Sequence, residues 1–123
     1  MLSLLLAAAL VQDCGASGIQ SELNACAARD YAVADRAMNA QWRVTLARVR
    51  ARDRENGKDS FGPPTTERLL KSQRAWLAYR DAECALESEE ARGGSMQPML
   101  QAGCLARLTE ARTEALKQIF EER

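Results

Sequence analysis

Histidine is absent from all 123 residues. That removes the side chain most used as general base, zinc ligand and near-neutral charge switch, and most hydrolase triads with it. Aromatic residues make up only 5 %, which disfavours a sheet-built core because strands draw on aromatic and β-branched side chains. Proline occurs 3 times and glycine 7 times, so few positions interrupt a helix. No apolar run reaches the roughly 20 residues needed to cross a bilayer. Neither sign of charge is in excess: 17 basic residues face 17 acidic ones, with 8 and 7 in residues 1–60 and 9 and 10 in the remainder. Such balance lacks the field for strong binding to nucleic acid or anionic lipid. The arginine-dense run "RVRARDR" at 48–54 reads as a solvated helix face near a helix C-terminus, where cations favour the dipole.

The length suits one domain. Hydrophobic residues make up 46 %, with alanine abundant, which favours helices. The opening "MLSLLLAAALV" has the length and character of the apolar region of a signal peptide. Residues 1–12 are expected to be that segment and 13–123 the mature helical domain. The small-x-small rule is best met after Ala9, and no Lys or Arg precedes the run, which fits a true start codon further upstream. Cys14 follows Gln12 and Asp13 rather than the small residues of a lipid-anchor site. The expectation is a periplasmic or secreted protein without a membrane anchor after cleavage.

The four cysteines are Cys14, Cys26, Cys84 and Cys104. None form a C-x-x-C pair, so zinc and thioredoxin-like readings are weak. An even number in an exported chain reads as two disulfides. Gly93-Gly94 looks like a hairpin turn. Cys84 lies nine residues before Gly93 and Cys104 ten after Gly94, so both stand about 14 Å from the turn along antiparallel helices. This predicts Cys84–Cys104, leaving Cys14–Cys26 to pin the N-terminal segment.

Periodicity supplies the elements. Leu23, Ala27, Tyr31, Ala34, Met38, Trp42, Thr45 and Val49 advance by fours and threes along one helix face. That helix is expected from an N-cap at Ser21 to about Asn56, with Gly57 as its stop. "GKDSFGPP" (57–64) breaks the chain. Thr65 or Thr66 caps a second helix running to about Arg92, and Ser95 caps a third with Pro98 in its first turn. Leu100, Cys104, Leu105, Leu108, Ala111, Ala115, Leu116 and Ile119 form the third apolar face. The predicted fold is all-α: three antiparallel helices, one long helix packed on a helical hairpin, stapled by two disulfides.

The second helix carries "QRAWLAYRDAEC". Leu70, Leu77 and Cys84 lie on one side of it, with Gln73, Trp76 and Arg80 beside them. On the first helix Asp35 and Asn39 share a face. An inward arginine needs a carboxylate, so Asp35 is expected to accept from Arg80, with Asn39 and Gln73 completing the cluster and Asp81 alongside. Such a group either fixes helix register or lines a polar binding pocket. The register role is the simpler reading. Asp81 and Glu83 are two apart and diverge, which argues against paired-carboxylate catalysis. Glu87, Glu89 and Glu90 read as a solvated helix end. No catalytic, cofactor or metal residue is expected.

Three blocks together resemble one family. "CAARDYAVADRAMNAQW", "LLKSQRAWLAYRDAEC" and "GGSMQPMLQAGCLARLTEARTEAL" are similar, in the same order, to the lysozyme-inhibitor LprI-like N-terminal domain family. Met38 departs from its usual leucine and Trp42 sits near its usual tyrosine. The matching residues are Tyr31, Asp35, Asn39, Gln73, Trp76, Arg80, Asp81, Glu83, Cys84, Cys104, Thr109 and Arg112. Cysteines, core aromatics and interhelical polar groups of this kind look like fold-keeping residues. The resemblance implies a small exported bacterial helical protein without enzymatic activity, whose partner is lysozyme or another envelope protein. The acidic stretch from Asp81 to Glu90 and the loop "GKDSFGPP" are the candidate contact regions.

Overall fold

A computed structural model of the chain describes residues 18–121. They fold as α1 (Gln20–Asn56), α2 (Thr65–Ser88), a 3-10 turn (Glu89–Ala91) and α3 (Gln97–Gln118). There is no strand among them. Residues 1–12, expected as a signal peptide, and Cys14 lie outside the described residues.

The 37 residues of α1 span about 55 Å. No glycine or proline interrupts the helix, and it stops at Gly57, which adopts φ 61° and donates its N–H to the Asp53 carbonyl. A side chain there would be strained, which is why the helix ends where the first glycine falls. The start differs from the expectation. The Ile19 carbonyl already accepts from the N–H groups of Glu22 and Leu23, so Ser21 sits inside the first turn. α2 also ends early, at Ser88, whose buried Oγ donates to the Ala85 carbonyl at 2.9 Å. α3 starts at Gln97 rather than after a Ser95 cap. The Ser95 carbonyl is instead taken by Asn24 Nδ2 of α1 at 2.9 Å.

Contact pairs give the register. Arg112 meets Gln73, Thr109 meets Arg80 and Cys104 meets Cys84, so α2 and α3 run in opposite senses. Tyr31 faces Arg80, Met38 faces Gln73 and Asp53 faces Thr65, which sets α2 against α1. Asn24 reaches Ser95 and Thr45 reaches Leu116, so α1 and α3 share a direction. Only the consecutive helices are mutually opposed.

Met38, Val49, Leu69 and Leu116 form the buried core, with Trp42, Leu46, Trp76, Leu77 and Ile119 packed around it. Small residues (Ala27, Ala34 and Ala106) are buried with the cysteines and permit close approach of the helices. On α3 the buried line runs through Cys104, Ala106, Thr109, Thr113 and Leu116, while Ala111 and Ala115 face solvent. The expected apolar face is therefore rotated. Thr113 Oγ1 donates to the Thr109 carbonyl and Thr109 Oγ1 accepts from Arg80, so both threonines are buried without an unmet polar group.

One disulfide, Cys84–Cys104, lies wholly among the described residues, with Cα atoms 5.4 Å apart. Cys26 is buried and is not a free thiol. The bridge expected between it and Cys14 falls outside the described residues.

The last turns of α1 also supply caps to both other helices. Thr45 Oγ1 donates to the Leu116 carbonyl at 2.8 Å, and Arg48 Nη1 donates to the Lys117 and Ile119 carbonyls at 3.1 and 2.8 Å. These groups meet carbonyls that a helix C-terminus leaves without intrahelical donors. Asp53 does the corresponding service for the α2 N-terminus.

Candidate functional site

The polar residues of α2 lie on its buried line: Gln73 and Arg80 are only 8 % and 7 % exposed. Arg80 does not pair with Asp35. Its Nε and Nη2 both lie 3.0 Å from Asp81 Oδ1, and Nη1 donates to Thr109 Oγ1 at 3.3 Å. Its guanidinium also stands 5.5 Å from the Tyr31 ring centre and 5.4 Å from that of Trp76. Asp35 instead accepts from its own helix neighbour Asn39 at 3.3 Å on the exposed surface. The physical reason is geometric: the flexible arginine stem reaches the next carboxylate in its own chain, and two rings supply the rest of its environment.

A second guanidinium completes this polar knot. Arg112 Nε donates to Gln73 Oε1 at 2.9 Å and Nη2 to Ser72 Oγ at 3.2 Å. It lies 5.7 Å from the Trp76 ring centre, so Trp76 has two cations against it. Burial pulls the Arg112 pKa below its ordinary value. Gln73 Nε2 makes a weak contact to Met38 Sδ at 3.8 Å. Every named polar group is engaged within the protein, across all three helices. The arrangement can fix register and rotation. It presents no nucleophile next to a base, and Asp81 is occupied by Arg80. Glu87 pairs with Arg107 and Glu89 with Arg92, so the expected solvated acidic end carries two ion pairs. Among the described residues no group of three or more Cys, Asp or Glu side chains is placed to hold a metal ion.

The other candidate is the loop between α1 and α2. Asp53 accepts from the backbone N–H of Thr65 at 2.7 Å, from that of Thr66 at 2.8 Å, and from Thr66 Oγ1. The cap expected from Thr65 or Thr66 is thus delivered by a carboxylate twelve residues earlier, which also suits the helix dipole. These bonds, the Thr66 hydroxyl foremost, hold the Asp53 carboxyl below its usual pKa. Asp59 Oδ1 accepts from the Phe61 N–H at 2.9 Å, the turn that Asp side chains make. Gly62 adopts φ 129°, and a Cβ there would come within 2.7 Å of Arg68 Nη2. Pro63 and Pro64 restrict the remainder. A groove of about 250 Å³ runs along Asn56, Lys58, Asp59 and Pro63. At the tip Phe61 is 91 % exposed. Sequence reading singled out this loop but missed Asp53, which lay in a run read only as solvated charge.

Because Asp53 has a lowered folded-state pKa, its stabilisation is present above the unfolded carboxylate value near 4 and is lost as pH falls through the lower folded value. Asp53→Asn is therefore expected to melt below wild type at pH 6, with the gap closing towards pH 2. Thermal melts across that range check it, and a gap independent of pH contradicts it.

A staple, a polar knot and shared caps thus hold a small helical scaffold that presents one braced aromatic loop. The chain belongs to the lysozyme inhibitor LprI family, whose model matches residues 12–116. It is also similar to an uncharacterised protein of Rhizobium meliloti (strain 1021), 47 % identical over 110 residues that cover 89 % of this chain and 79 % of the relative. No solved structure matches it.

Proposed function

We propose that this chain is an exported lysozyme inhibitor that acts by binding and occlusion, with no chemistry of its own. Family membership supports lysozyme as the partner. Residues 1–12 are its removed signal segment, and Cys14–Cys26 is its second disulfide; an oxidising compartment outside the cytoplasm suits both. No helix among the described residues is long and apolar enough to cross a membrane.

The observation that carries the mode of action is Phe61, 91 % exposed on a loop fixed by Asp53, Asp59, two prolines and a glycine. Large aromatic anchors dominate protein interfaces, and a loop already in its bound shape loses little entropy on docking. Lys58, in the same loop, offers a cation to a cleft that holds two carboxylates. The polar knot is scaffold, not contact surface. Phe61→Ala is expected to weaken inhibition of cell-wall lysis by roughly 30-fold or more, the scale of an interface hot spot, with an unchanged melting temperature. Equal inhibition by the variant removes the loop from the interface. The other reading is an envelope interaction module with a different partner, and it predicts no lysozyme inhibition by the wild-type chain at all.

A further inference from the structure

The outward side of α1 carries a feature that the loop reading does not use. Arg29, Arg36, Arg43 and Arg50 stand seven residues apart and are all exposed, so they form one row along about 31 Å of helix. Surface helices commonly neutralise such cations with acids four residues away. Here those neighbours are Ala25 and Val33, Ala32 and Ala40, Asn39 and Ala47, and Leu46 and Arg54. None is an acid. Elsewhere the exposed cations Arg92, Arg107 and Lys117 each have a glutamate. The four arginines of the row take no part in any ion pair of the described residues.

Next to the row lies an apolar strip. Val33 and Val44 are 56 % and 54 % exposed, with Ala37, Ala40 and Ala47 between and after them, also exposed. Their spacing alternates four and three, the seam of a coiled coil. With Ala37 and Val44 at a and Val33, Ala40 and Ala47 at d, all four arginines occupy g. Charges at g select the partner helix and its direction.

A second copy does not fit. Antiparallel pairing sets g against g, which opposes arginine with arginine. Parallel pairing sets g against e, occupied here by buried Ala34, by Gln41 bonded to Thr45, and by Arg48 bonded to the end of α3. Neither arrangement supplies an acid. A lipid surface fits poorly, because the strip has none of the Trp, Phe or Leu that interfacial helices bury.

We propose that this face docks an α-helix of another protein, one with a narrow apolar seam flanked by glutamate or aspartate. The surface is independent of the lysozyme reading and stands or falls separately from it.

The test uses the oxidised full chain and synthetic four-heptad helical peptides. One peptide has Glu at e and g around an Ala/Leu seam. A second has the same composition with the Glu residues moved to b, c and f, and a third has Lys in place of Glu. Binding is followed by anisotropy at low and high salt. The seam-matched acidic peptide is expected to bind at least roughly 10-fold tighter than the rearranged one, with affinity falling as salt rises. The Lys peptide is expected not to bind. Arg36→Glu with Arg43→Glu should abolish binding of the acidic peptide and gain the Lys peptide, at unchanged helicity. Arg36→Gln with Arg43→Gln serves if the double reversal fails to fold, and it should weaken binding of the acidic peptide. Equal binding of both acidic peptides overturns the proposal, as does binding to phosphatidylglycerol vesicles with none to any peptide, or no binding at all.

Discussion

Replacing Cys84 and Cys104 together by alanine lowers the unfolding free energy by about 3 kcal/mol. The bridge closes a loop with a sequence separation of 20, and chain-entropy reasoning assigns a loop of that length about 3 kcal/mol. For a domain of this size the melting temperature falls by roughly 12–15 °C. The location makes the loss hard to recover. Both sulfurs are buried, at 0 % and 1 % exposure, among small residues such as Ala106 and Ser88, so this part of the bundle has little apolar area to hold it without the bridge. Alanine avoids burying a new hydroxyl. Paired melts of wild type and the double variant check the figure, and a change under about 1 kcal/mol contradicts the role given to the bridge.

Arg80→Ala is the second large effect, expected at about 3 kcal/mol, within the range for breaking a buried charged network. The variant loses the contacts to Tyr31 and Trp76 and leaves Thr109 Oγ1 without its donor. Asp81→Asn should cost less, about 1 kcal/mol, because its side chain is 64 % exposed and water replaces part of what it gives. Asp35→Ala should fall within about 0.5 kcal/mol, as for other surface changes, since its bond to Asn39 is exposed. Chemical denaturation of the three variants gives the order directly. A cost for Asp35→Ala equal to that of Arg80→Ala would restore the cross-helix pair that the structure does not show.

That contrast shows what was legible in the residues. Helix bounds followed from backbone chemistry: Gly57 stops α1, Pro63-Pro64 holds the break, and Gly93-Gly94 turns α2 into α3. The Cys84–Cys104 bridge followed from equal distances to that turn. The partner of Arg80 did not. Helical spacing says which residues share a face, but not how one helix is set along or around its neighbour. A long arginine stem then chooses among several carboxylates within reach. The buried line of α3 was misplaced for a related reason. Thr109 and Thr113 look polar in isolation, yet each finds a partner within the bundle, whereas Ala111 and Ala115 are small enough to face water at little cost. Capping was least legible. Asp53, Thr45 and Arg48 each serve another helix through tertiary contacts, and local patterns assign caps only to neighbouring residues. In the candidate loop, the sequence marked the segment, while the exposure of Phe61 needed the bracing bonds to be seen.

These assignments divide the molecule into a scaffold, kept by the disulfide, the knot and the caps, and a loop that meets the partner. The division rests on lysozyme being that partner. The most direct test is to titrate the mature, oxidised chain into chicken-type and bacterial lysozymes, following cell-wall lysis and heat of binding in the same samples. Stoichiometric inhibition of at least one class, with binding and loss of lysis saturating together, is the predicted result. Absence of binding to every class tested would contradict it and leave the scaffold with a different envelope partner.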